Sequence, residues 1–190
     1  MKKNIVCLSF FLFFFLNNFA QHPSSYNYTG FMNYYKEYIK DLNPIEGEWD
    51  IQEKIIFIDR RGYQCFNFDK AYDGYVIRTG EGYCNLYDKD GKSINHIWFT
   101  PIGETNVYRF VRQRLFGKLP CDVYVQVNLD SKVKMTIRCE SSQESIDEIN
   151  EEVFSGLPYW KKISKIIISM DWVKSYPTAS MYKEAARESY

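Results

Sequence analysis

Side chains suited to acid–base, nucleophilic or metal chemistry are scarce in this sequence. Histidine occurs twice, as His22 near the N-terminus and as His96 in the segment "INHIWFT". A nucleophile–histidine–acid triad would need His96, which we interpret as a structural residue because it lies in an alternating, strand-like segment. No Gly-x-Ser-x-Gly elbow, phosphate-binding glycine loop or acidic calcium loop occurs. We therefore predict no catalytic residue, no metal and no cofactor.

Carboxylates are more numerous, and paired carboxylates are the machinery of glycoside hydrolysis. Their densest group follows residue 143, and its spacing is typical of the solvated face of a helix: Glu144, Asp147, Glu148, Glu151 and Glu152. No pair among them stands out, so a carboxylate-based hydrolase ranks third among the functions considered below.

The cysteines indicate cross-links. Apart from Cys7, the chain contains an even number of them, an arrangement that favours disulfides in an exported protein and leaves three connectivities open: Cys65, Cys84, Cys121 and Cys139. A hairpin turn at residues 130–131 would place Cys121 almost opposite Cys139. Directly opposed strand residues are close enough for a disulfide. This spacing predicts the bridge Cys121–Cys139.

The second pairing depends on another turn. Asp73-Gly74 is a dipeptide favoured in two-residue hairpins. A hairpin there would bring Cys65 near Cys84, two positions away from direct opposition. We predict a second bridge, Cys65–Cys84. Zinc or redox chemistry would require a Cys-x-x-Cys pair or nearby histidines, and the sequence has neither.

The N-terminal residues indicate export. Lys2 and Lys3 precede an apolar run over residues 5–16, and Ala20 supplies a small residue for cleavage. This pattern predicts a signal peptide over residues 1–20, since the run is shorter than the roughly 20 residues of a membrane-spanning helix. We expect a periplasmic or secreted protein with no membrane span after cleavage.

The net charge excludes one class of partner. The 24 basic and 24 acidic residues balance, and losing Lys2 and Lys3 would leave two more acids than bases. No basic field exists to attract nucleic acid, so we predict no nucleic-acid partner. The remaining length fits one domain, and we assign residues 21–29 to a flexible lead, 30–177 to the domain and 178–190 to a C-terminal tail.

The elements begin with a short helix. Apolar residues recur at helical spacing over 31–42, until Asn43-Pro44 ends the pattern. Alternating, β-branched and aromatic segments then predict strands, with turns near Arg61-Gly62 and at Asp90-Gly91: 49–58, 63–72, 75–85, 84–89, 93–100, 106–114, 121–128 and 132–139. A helix after Cys139, a short turn around Trp160 and a last strand over 165–170 complete the order.

These elements and one motif resemble the lipocalin-like family. Gly47-Glu48-Trp49 follows the first helix, as the Gly-x-Trp motif does in that family. The resemblance implies a mainly β, antiparallel up-and-down barrel of about eight strands, with a short N-terminal helix and a helix before the last strand. It also implies that Trp49 plugs the closed end under a basic residue from a late strand, either Arg138 or Lys174.

A second resemblance concerns the start "PIEGEW" and the ending "DWVKSYP". They are similar to a group of exported bacterial proteins of unknown function that begin with Ile-Glu-Gly-x-Trp or Tyr. This resemblance implies no activity.

Three functions follow, in order of preference. The first is a barrel that binds a small apolar or aromatic molecule, with four large side chains chosen as lining by strand position: Trp98, Tyr108, Phe110 and Tyr124. The second is a filled barrel that contacts an envelope protein or a glycan. The third is the hydrolase. The first two differ in whether the barrel interior is hollow.

Overall fold

The computed structural model describes residues 23–79, 81–103, 106–113, 120–130, 132–181 and 184. The predicted signal peptide and the last six residues of the predicted tail lie outside these ranges. Eight strands dominate the fold: β1 (Gly47–Asp59), β2 (Gln64–Arg78), β3 (Cys84–Tyr87), β4 (Ser93–Pro101), β5 (Val107–Arg112), β6 (Cys121–Gln126), β7 (Lys134–Glu140) and β8 (Ile163–Tyr176). The helices are α1 (Tyr28–Glu37), α2 (Gln143–Glu152) and a 3₁₀ turn, Tyr159–Lys161.

The strands form one antiparallel sheet that curls into a nearly closed barrel. Their order is β6-β5-β4-β3-β2-β1-β8-β7, so every strand except β6 and β7 has two hydrogen-bonded neighbours. The predicted fold class, an up-and-down barrel of about eight strands with a helix before the last strand, is confirmed. β6 and β7 face each other across the remaining gap, which we call the seam.

The predicted hairpin at Asp73-Gly74 is wrong, because β2 runs unbroken through both residues. Gly74 lies opposite Trp49 on β1 and faces the barrel interior. A Cβ atom there would lie 2.6 Å from Leu86 Cδ1 and 2.8 Å from Ile51 Cδ1. Glycine therefore serves close packing beside a tryptophan at this position, and its turn-forming capacity is not used.

Two further predicted turns, near Arg61-Gly62 and at Asp90-Gly91, are confirmed. The backbone N–H of Asp59 donates to the carbonyl of Tyr63 around the β1–β2 turn, and that of Asp88 donates to Lys92 around the β3–β4 turn, both at 2.9 Å. Gly91 has a φ of 80° in the second turn, a conformation that favours glycine.

The structure confirms one of the two predicted disulfides. Cys121 and Cys139 are bridged, with 6.2 Å between their Cα atoms. Cys65 and Cys84 are both free thiols, so the second bridge is a wrong prediction. Because β2 is continuous, the partner of Cys84 is Arg78. Cys65 lies 13 residues earlier on the same strand, about 40 Å away at about 3.3 Å per residue.

The barrel interior is packed with apolar side chains from alternate strand positions. Trp49 and Trp172 have ring centroids 5.8 Å apart, and Trp172 also meets Phe99 at 5.5 Å, both edge to face. The largest interior side chains are at most 1 % exposed: Trp49, Trp172, Tyr108, Phe99, Phe110, Ile45, Ile51 and Leu86. This part of the interior is filled rather than hollow.

Helix α1 builds a second core on the outside of the wall. Asn27 caps it by accepting a hydrogen bond from the backbone N–H of Gly30. Phe31 stacks on Tyr75 of β2, with ring centroids 5.1 Å apart, and Tyr75 lies on the opposite face of β2 from the inward-facing Val76. The helix begins at Tyr28 and ends at Glu37, earlier at both ends than the sequence pattern indicates.

Helix α2 follows β7, as predicted. The hydroxyl of Ser142 accepts from the backbone N–H of Ser145 at its start, and Ile146 enters the barrel core. Asn150 is buried and bonds both backbone groups of Ile163, at 2.8 and 2.7 Å. These bonds fix α2 against the beginning of β8, near the end of the barrel where β1 finishes.

Candidate functional site

The Gly-x-Trp motif sits where β1 enters the barrel. Gly47 has a φ of 145°, and a Cβ atom there would lie 2.3 Å from the carbonyl oxygen of Tyr176, so only glycine fits. The indole N–H of Trp49 donates to the carbonyl of Ile45 at 2.8 Å. Trp49 is therefore fully buried with its polar group satisfied.

Lys174 covers this tryptophan. Its Nζ lies 4.9 Å from the ring centroid of Trp49 and donates to the carbonyls of Pro44 and Glu46 at 2.5 and 2.6 Å. Burial lowers the pKa of Lys174 to about 7, and the carboxylate of Glu46 opposes this shift. Arg138, the other basic residue considered for covering Trp49, is exposed on β7.

Glu46 attaches α1 to this end of the barrel. Its buried carboxylate accepts from the hydroxyl of Tyr34 at 2.6 Å, from the guanidinium of Arg78 at 2.7 Å and from the backbone N–H of Asn43 at 2.8 Å. Burial, and then Glu46, raise the pKa of Tyr34. The cluster satisfies its own charges, which is the pattern of a structural network.

The structure separates the four side chains predicted to line a ligand site. Tyr108 and Phe110 face the interior, where they are fully buried in the core. Trp98 is half-buried on the opposite face of β4 from the inward-facing Phe99, and Tyr124 is 72 % exposed on the outer face of β6. They do not converge on one cavity, and ligand binding by any of them stays a prediction.

A buried ion pair crosses the barrel interior. Arg112 Nη1 on β5 lies 2.5 Å from Glu53 Oε1 on β1, and the two side chains are 3 % and 5 % exposed. These strands are not neighbours in the sheet, so the pair links opposite walls. The sequence pattern does not predict this pair, although both residues occupy inward positions of alternating strands, where a charged residue is unusual.

The seam lies directly beside this ion pair. β6 and β7 run antiparallel, but their only bridge within the described ranges is Asn128↔Lys134 at one end. The disulfide Cys121–Cys139 ties them at the other end. The predicted β6–β7 hairpin therefore forms without a continuous hydrogen-bonded ladder.

A cleft of about 820 Å³ opens at the disulfide end of the seam. Both faces of the wall contribute to its lining, which includes Arg112, the disulfide and the apolar residues Val111, Pro120 and Val123. Arg138, Asp122 and Glu140 stand on the outer face and form its lip. The volume lies within the range of small-molecule sites.

Ion pairs neutralise both acids at the lip. Asp122 pairs with Arg109 at 2.6 Å, and the Arg109 guanidinium lowers the pKa of the Asp122 carboxyl. Glu140 pairs with Lys165 at 2.7 Å. Arg138 makes no ion pair with any of the described residues. The lip therefore presents one unmatched positive charge.

The described residues provide no group of three His, Cys, Asp or Glu side chains able to hold a metal. None of the helices within the described ranges is long and apolar enough to cross a membrane. The fold and the cleft together define an up-and-down β-barrel with a cleft in its wall. Comparisons with protein-family models, with curated proteins and with solved structures found no match for this chain.

Proposed function

We propose that this protein is an exported, lipocalin-like barrel that binds a small molecule in the seam cleft. The ligand class is a largely apolar molecule that carries one acidic group. The observation that carries the proposal is the Arg112–Glu53 ion pair, because its buried arginine is one of the residues that line a cleft of small-molecule size.

The energetics of the ion pair favour a functional role. Removing two charges from water costs several kcal/mol per ion, and well-packed apolar residues often replace a buried pair without loss of stability. Every other inward side chain at this level of β1 and its neighbour β8 is apolar, for example Ile55 and Ile168. A charged pair inside such a core is expected where it serves binding or specificity.

The ligand chemistry follows from the charges around the cleft. Asp122 and Glu140 are neutralised by their own cations, whereas Arg138 offers a guanidinium at the lip. Guanidinium groups bind carboxylates and phosphates with paired hydrogen bonds. Val111, Pro120 and Val123 supply the apolar contact for the rest of the molecule.

Export and family membership are part of the proposal. The disulfide Cys121–Cys139 suits an oxidising compartment, as does the predicted signal peptide. The close packing at Gly47 and the position of Lys174 over the ring of Trp49 support the proposed lipocalin-like assignment. The filled interior moves the proposed ligand away from the barrel centre to the seam.

Anilinonaphthalene sulfonate, an aromatic molecule with one anionic group, tests the ligand class. We expect its fluorescence to rise in the presence of the folded protein. Arg138→Gln should weaken its binding several-fold, because the unmatched charge at the lip is lost. The neutral N-phenylnaphthylamine should bind more weakly than the sulfonate and should be insensitive to Arg138→Gln.

Lys134→Gln is the matched control, since Lys134 is an exposed cation on the outer face of the same strand but lies away from the cleft. It should leave sulfonate binding unchanged. Equal weakening by both variants would show a general charge effect and would contradict the assignment. All variants must retain the wild-type melting temperature, because this dye also binds partly unfolded chains.

A second candidate is an interaction protein that accepts a strand from an envelope partner. This candidate is supported by the edge of β2 that faces away from β1. On that edge β3 pairs only with residues 75–78, and residues 64–71 are all exposed. Phe66 and Phe68 on this stretch are 52 % and 53 % exposed. An unpaired edge with exposed aromatics is a template for strand addition.

A further inference from the structure

A second hollow lies on the outer face of the wall, where β3 and β4 pair. Its volume is about 430 Å³, and five side chains line it: Tyr83, Asn85, Ser93, His96 and Trp98. Ile97 and Phe99 of the same strand face the barrel interior. The hollow is therefore separate from the core and from the seam cleft.

An irregular stretch of β4 builds this hollow. His96 is the one described non-glycine residue with a positive φ, at 47°. The register between β3 and β4 shifts between Asn85 and Tyr87. In a regular strand Ser93 and Trp98 would point to opposite faces, since their separation is odd. The irregularity lets both line one hollow, and strained backbone of this kind is concentrated at functional sites.

The polar groups of the hollow are available to a ligand. Within the described ranges the indole N–H of Trp98, the imidazole of His96 and the hydroxyl of Ser93 make no hydrogen bond. Asn85 donates from Nδ2 to the hydroxyl of Tyr87 at 3.3 Å, which leaves its carbonyl oxygen as an acceptor. The lining contains no Lys, Arg, Asp or Glu.

We propose that this hollow binds a pyranose ring of a neutral saccharide. A pyranose offers an apolar C–H face to an aromatic side chain and hydroxyls that both donate and accept around its rim. Trp98 supplies the aromatic surface, while Asn85, Ser93 and His96 supply the hydrogen-bonding groups. The absence of formal charge in the lining disfavours acidic sugars. This inference does not rest on the seam cleft.

The test is a titration of the ¹⁵N-labelled full-length protein with glucose, galactose, mannose, N-acetylglucosamine and glucuronate, each up to tens of millimolar. The indole N–H signal of Trp98, assigned by its loss in Trp98→Ala, should shift with at least one neutral sugar and should shift less with glucuronate. Trp98→Ala should weaken binding of that sugar at least tenfold, as seen from the remaining shifted signals.

His96→Gly is the second variant. Glycine adopts a positive φ without strain, so this variant should fold at least as well as the wild type. It should nevertheless weaken sugar binding several-fold. Trp160→Ala removes an exposed tryptophan outside the hollow and should leave binding unchanged. The proposal is overturned if no neutral sugar shifts the Trp98 signal, if glucuronate binds as well, or if His96→Gly binds like the wild type.

Discussion

The ammonium group of Lys174 is buried beside Trp49, where desolvation and the nearby carboxylate of Glu46 shift its pKa in opposite directions. Two carbonyls and the ring of Trp49 stabilise the charged form, but desolvation lowers the pKa to about 7. Cys84 and Glu46 are the ionisable groups that act on it electrostatically. The residue is thus poised to lose its proton near neutral pH.

The lowered pKa of Lys174 predicts that the stability of the fold depends on pH. Between about pH 7 and the unfolded pKa near 10.4, the unfolded chain holds the proton that the folded chain has released. The free energy of unfolding should therefore rise with pH, by at most about 1.4 kcal/mol per unit. Chemical denaturation between pH 7 and 8, where the Cys84 thiol of the unfolded chain is still mostly protonated, measures this slope.

Lys174→Met should abolish the slope. This variant also changes the packing over Trp49. The ¹³C chemical shift of the Lys174 Cε atom in the wild type therefore gives an independent measurement of the pKa, with an expected titration midpoint near 7. A midpoint above 10 would contradict the account of this residue.

At the scale of elements, the seam is the weakest join of the barrel. Most neighbouring strands are held by continuous ladders, whereas β6 and β7 depend on one bridge and one disulfide. Cross-linking residues 18 apart restricts the unfolded chain by about 3 kcal/mol in the chain-entropy model. The disulfide also forms part of the cleft wall. The stability of the seam and the shape of the proposed ligand site therefore both depend on this disulfide.

Replacing both Cys121 and Cys139 by Ser should therefore lower the free energy of unfolding by about 3 kcal/mol. Urea titration followed by circular dichroism measures this loss. Cys65→Ser is the control, because Cys65 is exposed and unbridged, and its stability should stay within about 0.5 kcal/mol of the wild type. Comparable losses in the two proteins would show that the seam does not depend on its disulfide.

At the scale of the whole molecule, the sequence was sufficient for the order of the elements. Alternation identified the inward valines of β6 and the partners of β7, and with them the disulfide Cys121–Cys139. Local turn preference predicted a hairpin at Asp73-Gly74 that does not form. A glycine required for close packing beside Trp49 cannot be distinguished, from the neighbouring sequence alone, from a glycine in a hairpin turn.

The site was harder to predict than the fold. Glu53 and Arg112 are 59 residues apart in the sequence and meet only because the sheet closes. Size and strand position indicate Trp98 and Tyr124 but not the face of the strand on which each lies, which depends on the β4 irregularity and on the strand register. Barrel closure and the register of an irregular strand depend on contacts between residues that are distant in the sequence.

Native mass spectrometry of the protein, produced with its own N-terminal segment and collected after export, is the most direct test of small-molecule binding at the seam. The account predicts a chain of residues 21–190, lighter than the reduced form by two hydrogens, together with a small acidic molecule that is lost on denaturation. Arg138→Gln should retain less of it. A bare chain in the wild type would contradict small-molecule binding at the seam and favour strand addition at β2, and a retained N-terminal segment would contradict export.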